Sequence, residues 1–268
     1  MSQILLLSEQ IADKASIVGS KAARLGALMA SGLPVPDGFV ITIPTDENIR
    51  TSQIQKEILA AWDTLGLSLA AVRSSAVGED NILASWAGQL HTSLAVSKEE
   101  VFTHIQMCRE SFNQLHTHLY ARQLHIPALS QLAIIVQAMI PSELSGIIFT
   151  AHPVTGDCDV KVIEVVFGLG ELLAQGQVSA SHYQLHSDGS LIAAQYPGQE
   201  NKLMITSDGL HLINLPDMPA AHLTSSQLQQ LLRFGKDIEG IFGQPQDIEW
   251  TMVGNQWWIL QSRPITTL

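Results

Sequence analysis

The stretch "QDIEWTMVGNQWWILQSRP", Gln246 to Pro264, decides the fold. Two apolar runs flank a Gly-Asn pair, the pattern of a β-hairpin. Side chains alternate across a strand, so Ile248, Trp250 and Met252 point one way and Glu249, Thr251 and Val253 the other. In the second run Trp258 and Leu260 share a face, and Trp257, Ile259, Gln261 and Arg263 share the opposite one. A two-residue loop at Gly254-Asn255 would set Glu249 against Leu260. A three-residue loop, Gly254 to Gln256, sets it against Gln261. The second register keeps polar beside polar and is the one expected. It places a carboxylate and an amide about 5 Å apart at Cβ, with Arg263 one step along the same face. Such a set suits a Mg²⁺–polyphosphate complex, the oxygens binding metal and the guanidinium binding phosphate. The plainer alternative is a solvated Glu–Arg pair on an exposed sheet face.

Working outward, the 268-residue chain permits one large domain or two modest lobes. Apolar residues make up 46% and charged residues 15%, which describes a core-rich folded protein and excludes a disordered one. A net charge of −11 gives no broad attraction for nucleic acid or an anionic membrane. Any phosphate site must therefore be local. Cys108 and Cys158 form no CxxC pair and predict neither a zinc site nor a disulfide framework. They read as two buried thiols in a reducing cytoplasm. No apolar run approaches the roughly 18 residues of a membrane span. "MSQILLLSEQIADK" lacks a basic leader and a cleavage site, so no signal peptide is expected and a cytoplasmic location is.

Upstream of the hairpin, "SKAARLGALMASG" carries helical spacing and stops at Gly32. A strand follows in "LPVPDGFVIT". Residues 48–66 and 98–124 read as helices, and "AAVRSSAVGED" as a strand running into a small, polar loop. After Pro127 the texture turns β-branched, in "QLAIIVQAMI", "LSGIIFTA" and "DVKVIEVVFG". "SHYQLHSDGSLIAAQ" predicts a hairpin about Asp188-Gly189. "SSQLQQLLRFGKDIEGIFG" predicts an amphipathic helix capped by Thr224 or Ser225. The expected class is α/β (α+β): an α/β first half and a mostly antiparallel second half with one packed helix. The division is placed between 1–127 and 128–268.

Three other stretches carry chemical hints. Ser74, Ser75, Ala76 and Gly78 follow Arg73 as a small-residue loop through which backbone N–H groups can approach an anion. Lys21 lies near a helix N-terminus, where a cation opposes the dipole. "VFGLGE", Val166 to Glu171, is Gly-punctuated after a strand, but no GKS or GKT follows. The ten histidines form no helical i,i+4 metal pair and read as structural or surface groups. No Gly-x-Ser-x-Gly elbow or His-Glu-x-x-His pattern is present.

Five stretches, in order, resemble one family. "VGSKAARLGAL", "LPVPDGFVIT", "VRSSAVGEDNILASWAGQ", "SGIIFTAHPVTGD" through "VFGLGELLAQGQVS", and "QDIEW…ILQSRP" are similar to the N-terminal nucleotide-binding domain of phosphoenolpyruvate synthase, pyruvate phosphate dikinase and rifampin phosphotransferase. The resemblance covers roughly residues 10 to 265. It implies an ATP-grasp fold, two lobes clasping Mg·ATP in the cleft between them. It implies that Lys21 and Arg73 contact the ATP phosphates, that Glu249 and Gln261 bind Mg²⁺, and that Arg263 lies beside the transferred phosphates. "VQAMI" matches the hinge strand that holds adenine, with Gln137, Met139 and Ile140 as candidates. Glu171, Ser74 and Ser75 fit the nucleotide cleft.

The sequence departs from the family pattern at three places. Ser20 replaces a second Gly before the lysine, His152 replaces the Asp or Asn before "PVTG", and "SASHY" (Ser179 to Tyr183) replaces "SPDTY". Family enzymes cleave ATP to AMP and pass a phosphoryl group through a histidine on a swivelling domain. That domain is expected to lie outside this chain. The resemblance thus implies an ATP-binding phosphotransferase component, working with a phosphohistidine-domain partner or C-terminal domains and a small-molecule final acceptor. The alternatives are a self-contained ATP-grasp kinase or ligase acting directly on a small molecule, and a non-catalytic nucleotide-binding regulator.

Overall fold

Apolar residues that alternate with period two must find a sheet, and those at period 3.6 must cover it. The computed structural model satisfies both demands twice, in two compact units, residues 1–139 and 140–268. It describes residues 3–43, 51–78, 91–117, 131–206, 208–214 and 219–265.

The first unit carries β1 (Ile4–Leu6), α1 (Ala15–Ala30), β2 (Gly38–Ile41), α2 (Ser52–Thr64), β3 (Ala70–Ala76), β4 (Thr92–Val96), α3 (Val101–Thr117) and β5 (Leu132–Ala138). Its sheet runs β1-β2-β5-β3-β4, and every pairing is antiparallel. Ile54, Ile58 and Trp62 of α2 and Ile105 and Cys108 of α3 share one core with Phe39, Ile41, Val72, Ile134 and Val136 of the sheet. Helix α1 packs through Val18, Ala22, Leu25 and Leu28. The Thr51 hydroxyl caps α2 by accepting from the Ile54 N–H.

The "QLAIIVQAMI" strand was expected to open the second lobe. Instead β5 lies between β2 and β3, because Ala133 to Val136 are buried on both faces there. The division therefore falls at 139/140 and not at 127/128.

The second unit holds β6 (Leu144–Phe149), β7 (Val160–Phe167), α4 (Glu171–Ala174), β8 (Ser181–His186), β9 (Leu191–Gln195), β10 (Asn201–Thr206), β11 (Gly209–Asn214), α5 (Ser225–Phe242), β12 (Gln246–Val253) and β13 (Gln256–Pro264). Its main sheet runs β13-β12-β6-β7-β8-β9, again antiparallel throughout. Strands β10 and β11 form a separate hairpin that the sequence patterning did not single out. Helix α5 begins at a capping box between Thr224 and Gln227. It buries Leu228, Leu231, Gly235 and Ile238. Gly235 lets the helix come close, since a Cβ there would sit 3.2 Å from Thr150 and 3.3 Å from Ile148.

Candidate nucleotide-binding site

In the second unit the site begins with the β12–β13 hairpin. Glu249 pairs directly with Gln261, as the polar-beside-polar argument expects. The route to that register is different, however. The loop is the two-residue Gly254-Asn255, with Val253 opposite Gln256, and Gly254 takes a φ of 58° to turn it. Trp250 faces Ile259, and an irregularity between Glu249 and Trp250 then shifts the ladder by one residue.

The bulge corrects the expected faces of β13. Trp257 and Ile259 do not share a face with Gln261 and Arg263. They turn inward beside Trp250, at 9% and 0% exposure, with the Trp250 and Trp257 ring centroids 5.2 Å apart. Past the bulge, Gln261 and Arg263 turn to the other face with Glu249 and Asp247. An extra residue in one strand lets an apolar run and a polar run follow one another without a face conflict.

The polar face is wider than the hairpin. Arg263 donates from Nε to Asp247 Oδ2 at 2.8 Å, and its Nη2 lies 2.7 Å from the same oxygen in an ion pair. Asp247 is 7% exposed. Burial pushes its carboxyl up to about 6 from its ordinary value, Arg263 opposes that rise, and Glu249 and Glu164 add to it. Glu164 on β7 and Glu249 on β12 both pair with Ile147 of β6, from opposite sides. Glu164 also faces His182 on β8, with Nδ1 3.6 Å from the carboxylate. Asp247, Glu164 and His182 escaped the sequence reading. Asp247 sits two residues before Glu249 and could have been found from strand alternation alone.

In the first unit, α1 is broken at Gly19, whose φ of 76° is not helical. A Cβ there would collide with the Ser75 carbonyl oxygen. The break lets the strand approach, and it places Lys21 in the first turn of the helix that resumes. The Lys21 ammonium donates to the Ser74 carbonyl at 3.2 Å. Arg73 lies within β3 at 9% exposure. It shares with Ser75 the face that α1 covers.

Ser74 and Ser75 were expected in a loop. Both are in β3, paired with Ile134 and Ala133 of β5. The Ser75 hydroxyl accepts from the Ala22 N–H at 3.1 Å and donates to the Val18 carbonyl at 2.9 Å. The Ser74 hydroxyl donates to the His91 carbonyl at 3.3 Å. Both hydroxyls therefore serve the fold. The part of the motif in residues 79–90 lies outside the described residues.

Gln137 is 2% exposed and donates its amide to the Pro36 carbonyl at 3.2 Å. Met139 donates its N–H to the Leu69 carbonyl at 3.0 Å, and the Ile140 carbonyl accepts from the Ser142 N–H at 2.9 Å. Glu171 opens α4 and accepts from the Gln175 amide at 2.6 Å.

Two departures find structural explanations. His152 Nδ1 accepts the Val154 and Thr155 N–H groups at 3.3 and 3.2 Å, the turn-closing role that an Asp or Asn oxygen performs. The Ser20 hydroxyl accepts the Gly78 N–H at 3.2 Å.

Among the described residues, no group of three or more His, Cys, Asp or Glu side chains is placed to hold a metal by itself. The Glu249–Gln261 pair fits a divalent cation only as part of a shell, two hard oxygen donors facing each other across one ladder step. No described helix is long and apolar enough to cross a membrane.

A polar sheet face with a carboxylate–amide pair and a guanidinium held by a carboxylate offers the donor types that a metal–phosphate ligand requires. The comparison with known families agrees: the chain belongs to the family described as "Pyruvate phosphate dikinase, AMP/ATP-binding domain", which matches residues 49–268. The chain is 32% identical to the rifampicin phosphotransferase of Bacillus subtilis, over 100% of this chain and 36% of that protein. It is 31% identical to a probable phosphoenolpyruvate synthase of Archaeoglobus fulgidus, over 99% of this chain and 42% of that one. It thus spans less than half the length of either relative. Among solved structures, the D-alanine–D-alanine ligase of Coxiella burnetii aligns over 92% of this chain and 47% of its own, at 11% identity and a TM-score of 0.43.

Proposed function

We propose that this chain is the ATP-binding component of a dikinase-type phosphotransferase. The observation that carries the proposal is the Glu249–Gln261 pairing, with Arg263 held by Asp247 on the same face. In this reading Glu249 and Gln261 would hold Mg²⁺, which would supply neutralisation of the phosphate charge. Arg263 contacts the phosphates to be transferred, and its guanidinium is already oriented by a hydrogen bond and an ion pair to Asp247. Lys21 and Arg73 supply further cations to the phosphates. Gln137, Met139 and Ile140 border the adenine and Glu171 adds to the surroundings of the nucleotide, while the Ser74 and Ser75 hydroxyls hold β3 to its neighbours.

The protein's part in the reaction is positioning and charge stabilisation. The phosphoryl acceptor is a histidine on a swivelling domain, in a partner chain or in C-terminal domains. AMP is the nucleotide product; one of the two phosphoryl groups removed from ATP stays on the histidine, and the other is transferred to water or inorganic phosphate. That domain would pass the group to a small molecule. The length of the relatives supports this, since this chain covers only 36% and 42% of two of them. The test is nucleotide analysis of the chain mixed with a phosphohistidine domain from a family member. AMP and a phosphorylated histidine are expected. ADP formed without the added domain would favour a self-contained kinase.

A further inference from the structure

The Gly-punctuated turn after β7 is entered through a residue, Phe167, whose outer backbone groups are both bonded by one side chain. At Phe167, β7 pairs with Leu144 of β6 on one edge. The Phe167 N–H and C=O point to the other edge. Strand β8 does not reach it, because its pairing with β7 starts at Ser181 opposite Val165. Two backbone groups would be left without a ladder partner there.

Gln199 takes the place of the missing strand. Its side-chain oxygen accepts the Phe167 N–H at 2.7 Å, and its amide donates to the Phe167 carbonyl at 3.1 Å and to the Asn201 carbonyl at 2.7 Å. It is 3% exposed. The two residues that follow Phe167 are then fixed by neighbours. The Gly168 N–H donates to the Glu143 carbonyl at 2.8 Å, and the Leu169 N–H to the Leu203 carbonyl of β10 at 2.8 Å. The Ser145 hydroxyl closes the Gly168 carbonyl at 2.7 Å. Gly168 has a φ of 77°, and a Cβ there would collide with the Leu203 carbonyl oxygen. The turn therefore depends on Gln199 for its entry and on β10 for its exit, and it delivers Glu171 to the start of α4.

We infer that Gln199 is a positioning residue for nucleotide binding, acting through the Phe167–Glu171 turn. The inference rests on the ATP-binding reading above. All three hydrogen bonds of the one amide go to backbone groups, two of them at Phe167, where the turn that leads to Glu171 begins.

The test is titration of ATP with Mg²⁺ into the wild type, Gln199→Ala and Gln199→Glu, with amide hydrogen exchange measured by NMR on each. Gln199→Ala is expected to raise Kd roughly tenfold, the effect of leaving buried backbone groups unpaired. It is also expected to speed exchange at Phe167 and Leu169 while thermal unfolding stays cooperative. Gln199→Glu keeps an acceptor for the Phe167 N–H and loses both donations, so a smaller rise is expected; it also decides the matter if the alanine variant does not fold. A folded variant with wild-type Kd, or a lowered Tm with no change in Kd, would overturn the inference. If the wild type itself binds no ATP, the nucleotide reading falls and the inference falls with it. Exchange at Phe167 then still reports on the clamp alone.

Discussion

Glu249 stands directly across from Gln261 although the loop between their strands is only two residues long. The bulge beside Trp250 makes up the missing residue. It also separates the inward-facing Trp257 and Ile259 from the outward-facing Gln261 and Arg263. The position of Arg263 thus follows from strand geometry, and its orientation follows from Asp247. Arg263→Ala is expected to abolish phosphotransfer to a histidine domain and to weaken ATP binding roughly tenfold to a hundredfold, the scale of a lost charge-assisted contact. Arg263→Lys should restore little, because an ammonium cannot reproduce the guanidinium's planar fork. Radiolabel transfer from ATP checks both.

Asp247 makes a prediction about pH. Its folded-state pKa is about 6, against an ordinary value of 3.8. A carboxyl raised on folding binds a proton in the native state that the unfolded chain does not hold. Its contribution therefore makes the metal-free protein more stable as pH falls from about 7 towards 4, and less stable as pH rises through 6. The scale is roughly 3 kcal/mol at most. Urea unfolding of the wild type and of Asp247→Asn at pH 5 and pH 7 measures it. The wild type should gain relative to the variant at the lower pH, and parallel behaviour would remove the burial argument.

Ser75 is predicted to act on stability. Its hydroxyl joins α1 to β3 through Ala22 and Val18, so Ser75→Ala should lower unfolding free energy by about 1–3 kcal/mol. Gly19→Ala should be worse, because it combines a positive φ with a collision against the Ser75 carbonyl. Denaturant midpoints test both. A Ser75→Ala protein with unchanged stability and lost ATP affinity would return this serine to the nucleotide.

The hairpin face was legible because polar side chains recurred at alternate positions and the register had one choice that kept them together. The bulge was not legible, since the same register could be reached by a longer loop and only backbone pairing separates the two. Strands β3 and β5 were found as strands. Their neighbours were not, because a strand buried on both faces, as Ala133 to Val136 are, carries no mark of which sheet it joins. Ser74 and Ser75 were misplaced in a loop because small polar residues favour turns, and here tertiary bonds to α1 and His91 override that preference. Glu164 and His182 meet only through the ladder between β7 and β8.

The two thiols should differ in reactivity. Burial pushes the Cys108 thiol up to about 11, which leaves little thiolate at neutral pH. Cys158 is exposed. A thiol reagent should modify one cysteine rapidly in the native protein and the second only on unfolding. Mass mapping of the first adduct to Cys158 checks the assignment.

The central claim is that the Glu249–Gln261 pair holds the metal of a bound Mg·ATP. Calorimetric titration of ATP into the wild-type chain and into Glu249→Ala, each with and without Mg²⁺, tests it most directly. The account predicts that Mg²⁺ strengthens binding to the wild type and that the substitution removes most of this gain while the protein stays folded. An equal Mg²⁺ effect in a folded Glu249→Ala protein, or no ATP binding by the wild type, would contradict it.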